Sequence, residues 1–538
     1  MLASALPVTA VSAQSSPSTS ASTPTLVVFI TVDQMRPDYL DRFGRQFTGG
    51  FARLVHGGAV FTDAFQDHAI TVTAQGHAAT MSGRFPRSTG IMSDDLGSPD
   101  PQAPLIGGAG VGAVKGSSPF RFRGSTLIDW LRIKDIRARA LSVSRKDRGA
   151  IMPLGRAHQE VYWYAYDGRF STSTYYHDTL PSWINRFNAR RMPQRLAGQA
   201  WIPVLPDSMY HEPDSVRAEA NGKNFVFPHV LPTDTTAAER AIVDFPWMDQ
   251  ITLDLALDGL TELKLGTGPQ TDILAVSLST TDGIGHKYGP DSKEMHDQVI
   301  RLDRSLGTFF DSLYKLRDST HVVIALTADH GSAPLPGVHS ADPNQRGRFL
   351  DPQTLIAPEQ RALVARGLPD STIQFADGLV LLQRGVLARA GINPDSIVRA
   401  MELRLRAVPG IARVETRAEL ARRDTTTDYI ARRWAHMIPP DLDDIALMVT
   451  ADPYIVLTNG SYDTHGTPYD YDAHVPMIFY GPPFRTGRYN QFARVVDMAP
   501  TLAWVTGANP TERLDGRVLW NALRTNLMPV KVVRERLH

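Results

Sequence analysis

The chain has 538 residues, 42% of them hydrophobic and 21% charged, the proportions of an ordinary globular protein. Lys+Arg and Asp+Glu are equal at 56 each, so no overall field points to nucleic acid or an anionic membrane, and recognition of an anion has to be local. With 0 Cys, disulfides, thiolate metal sites and cysteine nucleophiles are excluded, and metal ligands must come from the carboxylates and the 16 His, a donor set suited to zinc or another divalent ion.

Met1 to Ala13 is apolar and rich in small residues, and Val11-Ser12-Ala13 resembles an export cleavage site, although no basic residues precede it. The reading is a signal segment over 1–13 and a periplasmic or secreted protein. Gln14 to Thr25 is almost all Ser, Thr, Pro and Ala, a flexible tether. No later run is long and apolar enough to span a bilayer.

Thr25 to Asp33 is a continuous apolar run ending on an acid, the mark of a strand buried on both faces of a parallel sheet, and Pro37 then opens a short helix. In open α/β sheets ligands bind beyond the carboxyl ends of the strands, which makes Asp33 a ligand candidate beside its alternative as a helix cap. Ala59 to Phe65 predicts another strand. The stretch from His68 through Thr73, Gly76 and His77 reads as a loop entering a helix, with Thr73 at its N-terminus, where free N–H groups favour an anion. A plain N-cap is the simpler alternative for a lone threonine there. Residues 97–119 read as loop.

Ala138 to Ser144 predicts a strand running into Arg145-Lys146-Asp147-Arg148, a solvated turn or a pair of cations pointing into a cleft. From about 151 to 246 the chain turns aromatic and loop-rich, an insertion expected to cap the active-site face. An amphipathic helix is expected over Trp247–Leu265. The apolar strand Thr271–Thr280 delivers Asp282, with His286 four residues on and two glycines between them to bend the backbone. A long helix follows over Asp291–Leu316. His321 onward is a strand ending in Asp329-His330-Gly331, where the glycine is expected to permit a turn.

Residues 334–375 predict loop and short helix, 385–407 a helix, Ile411–Glu415 a strand, and Asp444–Thr450 with Tyr454–Leu457 a hairpin. Asp463-Thr464-His465-Gly466 and Asp472-Ala473-His474 precede a strand at Met477–Tyr480, with helices near 497–506 and 516–524. There are no internal repeats. Residues 26–538 read as one catalytic domain.

Several strand ends thus offer acids and imidazoles beside glycines. Two cations held by Asp and His roughly 4 Å apart clamp the attacking and leaving oxygens of an in-line displacement, and a hydroxyl on one of them, here Thr73, becomes a nucleophile.

These residues resemble the alkaline phosphatase superfamily, and within it the threonine-nucleophile bacterial alkaline phosphatases of the type I phosphodiesterase/nucleotide pyrophosphatase group. The resemblance runs from about Thr25 to near the C-terminus. It implies an α/β fold with an alkaline-phosphatase-like central, mostly parallel sheet flanked by helices. It implies one zinc held by Asp282, His286 and His465 and a second held by Asp33, Asp329 and His330 and touched by Thr73, with His474 in a supporting place. Lys146 and Arg148 match the pair with which the monoesterase branch contacts phosphoryl oxygens. The family's phosphate-contacting Asn is replaced by Asp94. The implied activity is hydrolysis of small-molecule phosphate monoesters through a phosphothreonine. A phosphodiesterase or nucleotide pyrophosphatase on the same scaffold, or a metal-loaded binding protein, are the alternatives.

Overall fold

The computed structural model describes residues 23–107, 116–335, 348–457 and 465–524. The apolar start, most of the tether, Asp463 and Thr464 lie outside the described residues.

The main sheet contains β1 (Leu26–Val32), β2 (Ala59–Phe61), β3 (Ala140–Ser144), β4 (Glu160–Tyr164), β5 (Phe170–Ser171), β6 (Asp272–Leu278), β7 (Val322–Thr327), β8 (Met477–Tyr480) and β9 (Gly487–Tyr489). Its order is β9-β2-β8-β7-β1-β6-β3-β4-β5. The strands run parallel from β7 through β1, β6 and β3 to β4, while β8 and β5 are antiparallel to their neighbours. Every residue of β1, β6 and β7 is buried, as expected of apolar runs covered on both faces. Five helices matter for the site: α1 (Thr73–Ser82), α2 (Asp147–Ile151), α3 (Trp247–Glu262), α4 (Thr280–Tyr288) and α5 (Lys293–Leu316). Helix α3 lies against β3 and β6, and α5 opens on a Ser292 cap that accepts from the Met295 N–H.

Register decides where the site is. Val32 pairs with Leu278 and Thr31 with Thr327, so β1, β6 and β7 end level with one another. Ser144 pairs with Ser277, which brings the Lys146–Arg148 segment to the same edge.

Elsewhere the elements depart from the expectations. The strand expected at Ala59–Phe65 is two, β2 and a short Ala64–Phe65. Within the stretch expected as loop, Pro99–Pro104 pairs antiparallel with Gly116–Ser117. Within 151–246, β4 and β5 belong to the main sheet, and the rings of Tyr162, Trp163, Tyr164 and Trp183 pack in its core. The helix expected over 385–407 is two, Arg384–Arg389 and Pro394–Leu405, broken where Gly391 turns to φ +68 and Asn393 caps the second. Ile445–Ala451 and Ile455–Leu457 do not form a hairpin. The first lies between Leu379–Leu382 and Ile411–Glu415 in a four-stranded sheet, and the second pairs with Arg348–Leu350. That smaller sheet, completed by Ile373–Ala376, has its own apolar core with Pro352–Val364 and Pro394–Leu405. Short strands of this kind choose partners by available apolar surface, which sequence adjacency does not reveal. The segment 516–524 contains only a 3-10 turn at Trp520–Ala522.

Candidate active site

Thr73 is the first residue of α1 and is buried. The N-cap is Val72, without a side-chain cap bond, so the Thr73 hydroxyl is not spent on the helix's own amides. Instead Asp94 accepts from the Ala74 N–H at 2.8 Å and caps α1 from outside. Thr73 Oγ1 accepts from Lys146 Nζ at 3.0 Å. Gly76 makes the approach possible, because a Cβ there would lie 2.2 Å from the backbone oxygen of Asp329.

Asp33, Asp282, Asp329 and His330 are buried as well. Lys146 Nζ lies 2.8 Å from Asp33 Oδ2 and 2.7 Å from Asp282 Oδ2. The ammonium therefore sits among the carboxylates, not out over an open cleft. Burial opposes its charge, but Asp282 and Asp33 outweigh that and raise its pKa. Burial, with Asp282 and Asp329 nearby, raises the Asp33 carboxyl. Asp282 is buried too, yet Lys146, His286 and Arg145 draw it well below the usual range.

Two ligand groups converge: Asp282, His286 and His465, and Asp33, Asp282 and His330, each with its donor atoms within 4.8 Å of one another. Asp282 and His286 are one turn apart on α4, with Asp282 Oδ1 3.1 Å from His286 Nε2. The two glycines between them lie inside a regular helix and bend nothing. They allow close approach: a Cβ on Gly283 would meet Asp244 Oδ1 at 2.8 Å, and one on Gly285 would meet Gln34 Oε1 at 1.7 Å. His465 Nδ1 lies 2.9 Å from the Thr71 carbonyl, which makes Nδ1 the donor and turns the Nε2 lone pair to within 3.3 Å of His286 Nε2. The following Gly466 has φ +107, a conformation that glycine enters without strain.

His330 repeats the device, with Nδ1 3.0 Å from the Gly331 carbonyl and Nε2 3.5 Å from Asp33 Oδ1. Burial lowers its pKa to about 4, so the ring is neutral, as a ligand must be. Gly331 serves close packing, since a Cβ would fall 2.5 Å from the Tyr471 carbonyl. Asp329 accepts from the Gln34 and His330 amides at 3.1 and 3.0 Å through Oδ1, and its Oδ2 lies 3.8 Å from His330 Nε2.

Arg148 Nε lies 2.7 Å from Asp94 Oδ2. Burial would raise the Asp94 carboxyl, but Arg148, Lys146 and the Ala74 amide hold it below the ordinary value. His474 sits apart: its Nε2 is 2.9 Å from the Thr62 carbonyl and its ring stacks on Phe65, so its side chain supports that strand end and not the ligands.

Three residues at the site went unassigned by sequence. Gln34, held at φ +62, donates to Asp282 Oδ1 at 3.3 Å as well as to Asp329. Arg145 donates to Asp282 Oδ2 at 3.3 Å and to the Val243 carbonyl. His77 touches Asp329 Oδ2 at 3.1 Å. Their signals were position alone: next to Asp33, next to Lys146, and one helical turn after Thr73.

The donor set fits divalent metal. Asp33 Oδ1 and His330 Nε2 are buried without a hydrogen-bond partner, while Asp33 Oδ2 meets only the Lys146 ammonium at 2.8 Å and Asp329 Oδ2 only the His77 ring at 3.1 Å, a set of donors that a divalent cation would complete. Carboxylate and imidazole donors without thiolate suit zinc and its neighbours.

The model of the type I phosphodiesterase/nucleotide pyrophosphatase family matches residues 27–467. The chain belongs to that family. It is an enzyme, similar over most of its length to bacterial alkaline phosphatases. It is 30% identical to alkaline phosphatase PhoV of Synechococcus elongatus, over 93% of each chain. It is 29% identical to alkaline phosphatase PafA of Elizabethkingia meningoseptica, over 89% of this chain and 91% of that one. The crystal structure of PafA superposes with a TM-score of 0.84 at 27% identity, covering 93% of this chain and 99% of the other. The mostly parallel α/β sheet expected from the resemblance is the fold observed.

Proposed function

We propose that the chain hydrolyses phosphate monoesters, with Thr73 as nucleophile and two divalent ions, zinc by preference, at the Asp282/His286/His465 and Asp33/Asp329/His330 groups. The observation that carries this reading is a threonine hydroxyl at a helix start, uncommitted to capping, beside buried carboxylates and imidazoles whose donor atoms lie within 4.8 Å of one another. Bound there, the ions supply charge that stabilises an alkoxide and the leaving oxygen. The Thr73 oxygen attacks phosphorus as the ester oxygen departs, leaving phosphothreonine, which water then opens to free phosphate. Lys146, exchanging Asp33 and Asp282 for the ester, and Arg148, exchanging Asp94, neutralise non-bridging phosphoryl oxygens, the two charges that a monoester dianion carries. A solved PafA variant replaces a threonine, an asparagine and a lysine and arginine two residues apart. Those residue types match Thr73, Lys146 and Arg148, with Asp94 standing for the asparagine.

One observation favours the diester alternative. The Asp94–Arg148 pair cancels one of the two cations, which weakens the preference for a dianion over a monoanion. Rates on an aryl phosphate and on its bis-aryl diester, with protein of measured metal content, decide between them.

Thr73→Ala is the direct test. Loss of a cap costs about 1 kcal/mol of stability and leaves turnover intact, whereas loss of the nucleophile leaves a folded protein slowed by orders of magnitude. Mass spectrometry of acid-quenched wild type should find phosphate on Thr73. Turnover by the alanine variant near the wild-type rate would refute the assignment. Export belongs to the same proposal, as does a cap role for about 151–246. No helix among the described residues is long and apolar enough to cross a membrane, and sequencing the mature N-terminus tests the signal segment.

A further inference from the structure

We infer that His77 is a positioning residue that locks the Asp329 carboxylate for metal binding and ties it to the nucleophile helix. This rests on the two-ion reading above.

His77 is fully buried, one turn beyond Thr73 on α1. Its Nδ1 lies 2.9 Å from the Thr73 carbonyl and 3.1 Å from Asp329 Oδ2, and its Nε2 lies 2.9 Å from Ser277 Oγ. The carbonyl and the carboxylate only accept, so Nδ1 carries the proton and the hydroxyl meets Nε2. The tautomer follows from the chemistry of the neighbours.

Each contact reaches a different element: α1 itself, the segment two residues beyond β7, and β6. Ser277 in turn lies beneath α2, where a Cβ on Gly149 would come within 2.8 Å of its hydroxyl. One imidazole therefore joins the Thr73 helix, a ligand strand end and the strand beneath the Lys146–Arg148 segment.

The carboxylate shows why this matters. Rotation about the last bond of an Asp side chain is soft. Two backbone amides hold Asp329 Oδ1, so Oδ2 is the oxygen left to face an ion, and it is the one His77 holds. With two amides on Oδ1 and the His77 Nδ1–H, shared with the Thr73 carbonyl, 3.1 Å from Oδ2, the carboxylate plane is restrained before any ion arrives. Such supporting contacts are worth about 10- to 100-fold in metal affinity. Gly76 places the ring there, since only a residue without a Cβ lets α1 pack on the Asp329 backbone.

Three variants separate positioning from space-filling. His77→Asn keeps an amide donor near the Nδ1 position, His77→Gln moves it toward the Nε2 position, and His77→Ala removes it. Zinc affinity is measured by chelator competition on full-length protein, beside the thermal midpoint of the metal-free forms. Positioning predicts that Gln and Ala weaken one of the two sites about 10- to 100-fold while Asn stays within about threefold of wild type, with kcat falling and KM little changed. If the alanine protein does not fold, the Asn and Gln pair carries the comparison. Equal zinc affinity in all variants, or Asn as weak as Gln, overturns the inference and leaves His77 a packing residue. Wild-type protein that takes up no zinc overturns the metal reading, and this inference with it.

Discussion

Asp33, Asp329 and His330 stand just beyond the ends of β1 and β7 and are wholly buried, whereas Asp282 and His286 stand a turn apart on α4, where the His286 side chain is 28% exposed. In the first group two backbone amides hold Asp329 and the Gly331 carbonyl orients His330, while Asp33 meets the Lys146 ammonium. In the second, Asp282 meets the side chains of Gln34, Arg145 and Lys146, and the Thr71 carbonyl orients His465. Asp282 belongs to both clusters of donor atoms, so the groups are joined through one carboxylate. Two sites of similar donor chemistry thus differ in access and stiffness, which predicts different exchange of what they hold.

Metal removal is the broadest test of that difference. Exhaustive chelation should abolish activity, with the ion at the α4 group leaving first and returning first. Elemental analysis alongside activity follows both steps, and simultaneous loss of two ions would break the distinction. Next in size, replacing Lys146 and Arg148 together by Ala should slow monoester hydrolysis by about 10²- to 10³-fold and diester hydrolysis far less. Equal losses on both substrates would mean that the pair only supports the fold.

The stiffness contrast is sharpened by two glycine variants. Gly76→Ala forces a Cβ onto the Asp329 backbone, which cannot yield. A displacement of α1 on the order of 1 Å should lower kcat by about 10²-fold. Gly285→Ala meets the ends of the Gln34 and Met295 side chains and no backbone, and a loss of about tenfold or less is expected. Steady-state rates at saturating substrate rank the two, and the reverse order would contradict the comparison. The smallest effect concerns Asp94, whose carboxylate cannot donate to a phosphoryl oxygen as an amide can. Asp94→Asn should raise kcat/KM for aryl phosphates by about 10-fold and tighten inhibition by inorganic phosphate. No change in either would place Asp94 outside substrate contact.

Much of this protein was legible before any coordinates. The apolar runs that became β1, β6 and β7 end one, four and two residues before an acid, because a strand buried on both faces is apolar and can turn polar only where it leaves the sheet. Thr73, Asp33, Asp282, His286, Asp329, His330 and His465 were found that way or through the resemblance, and the fold brings all seven to one edge. Pairing among the short strands was not legible. Ile445–Ala451 found partners far along the chain, and the smaller sheet with its own core left no periodic mark.

Chain composition and strand ends by themselves determined the donor types, the parallel core and the edge at which chemistry gathers. Only the tertiary structure decided that Lys146 lies among the carboxylates, that Asp94 is tied to Arg148, and that Gly76 and Gly285 serve close approach. Apolar periodicity and strand termination are local properties of a sequence. Which cation meets which carboxylate depends on distances between segments tens to hundreds of residues apart, and those exist only once the register of the sheet is set.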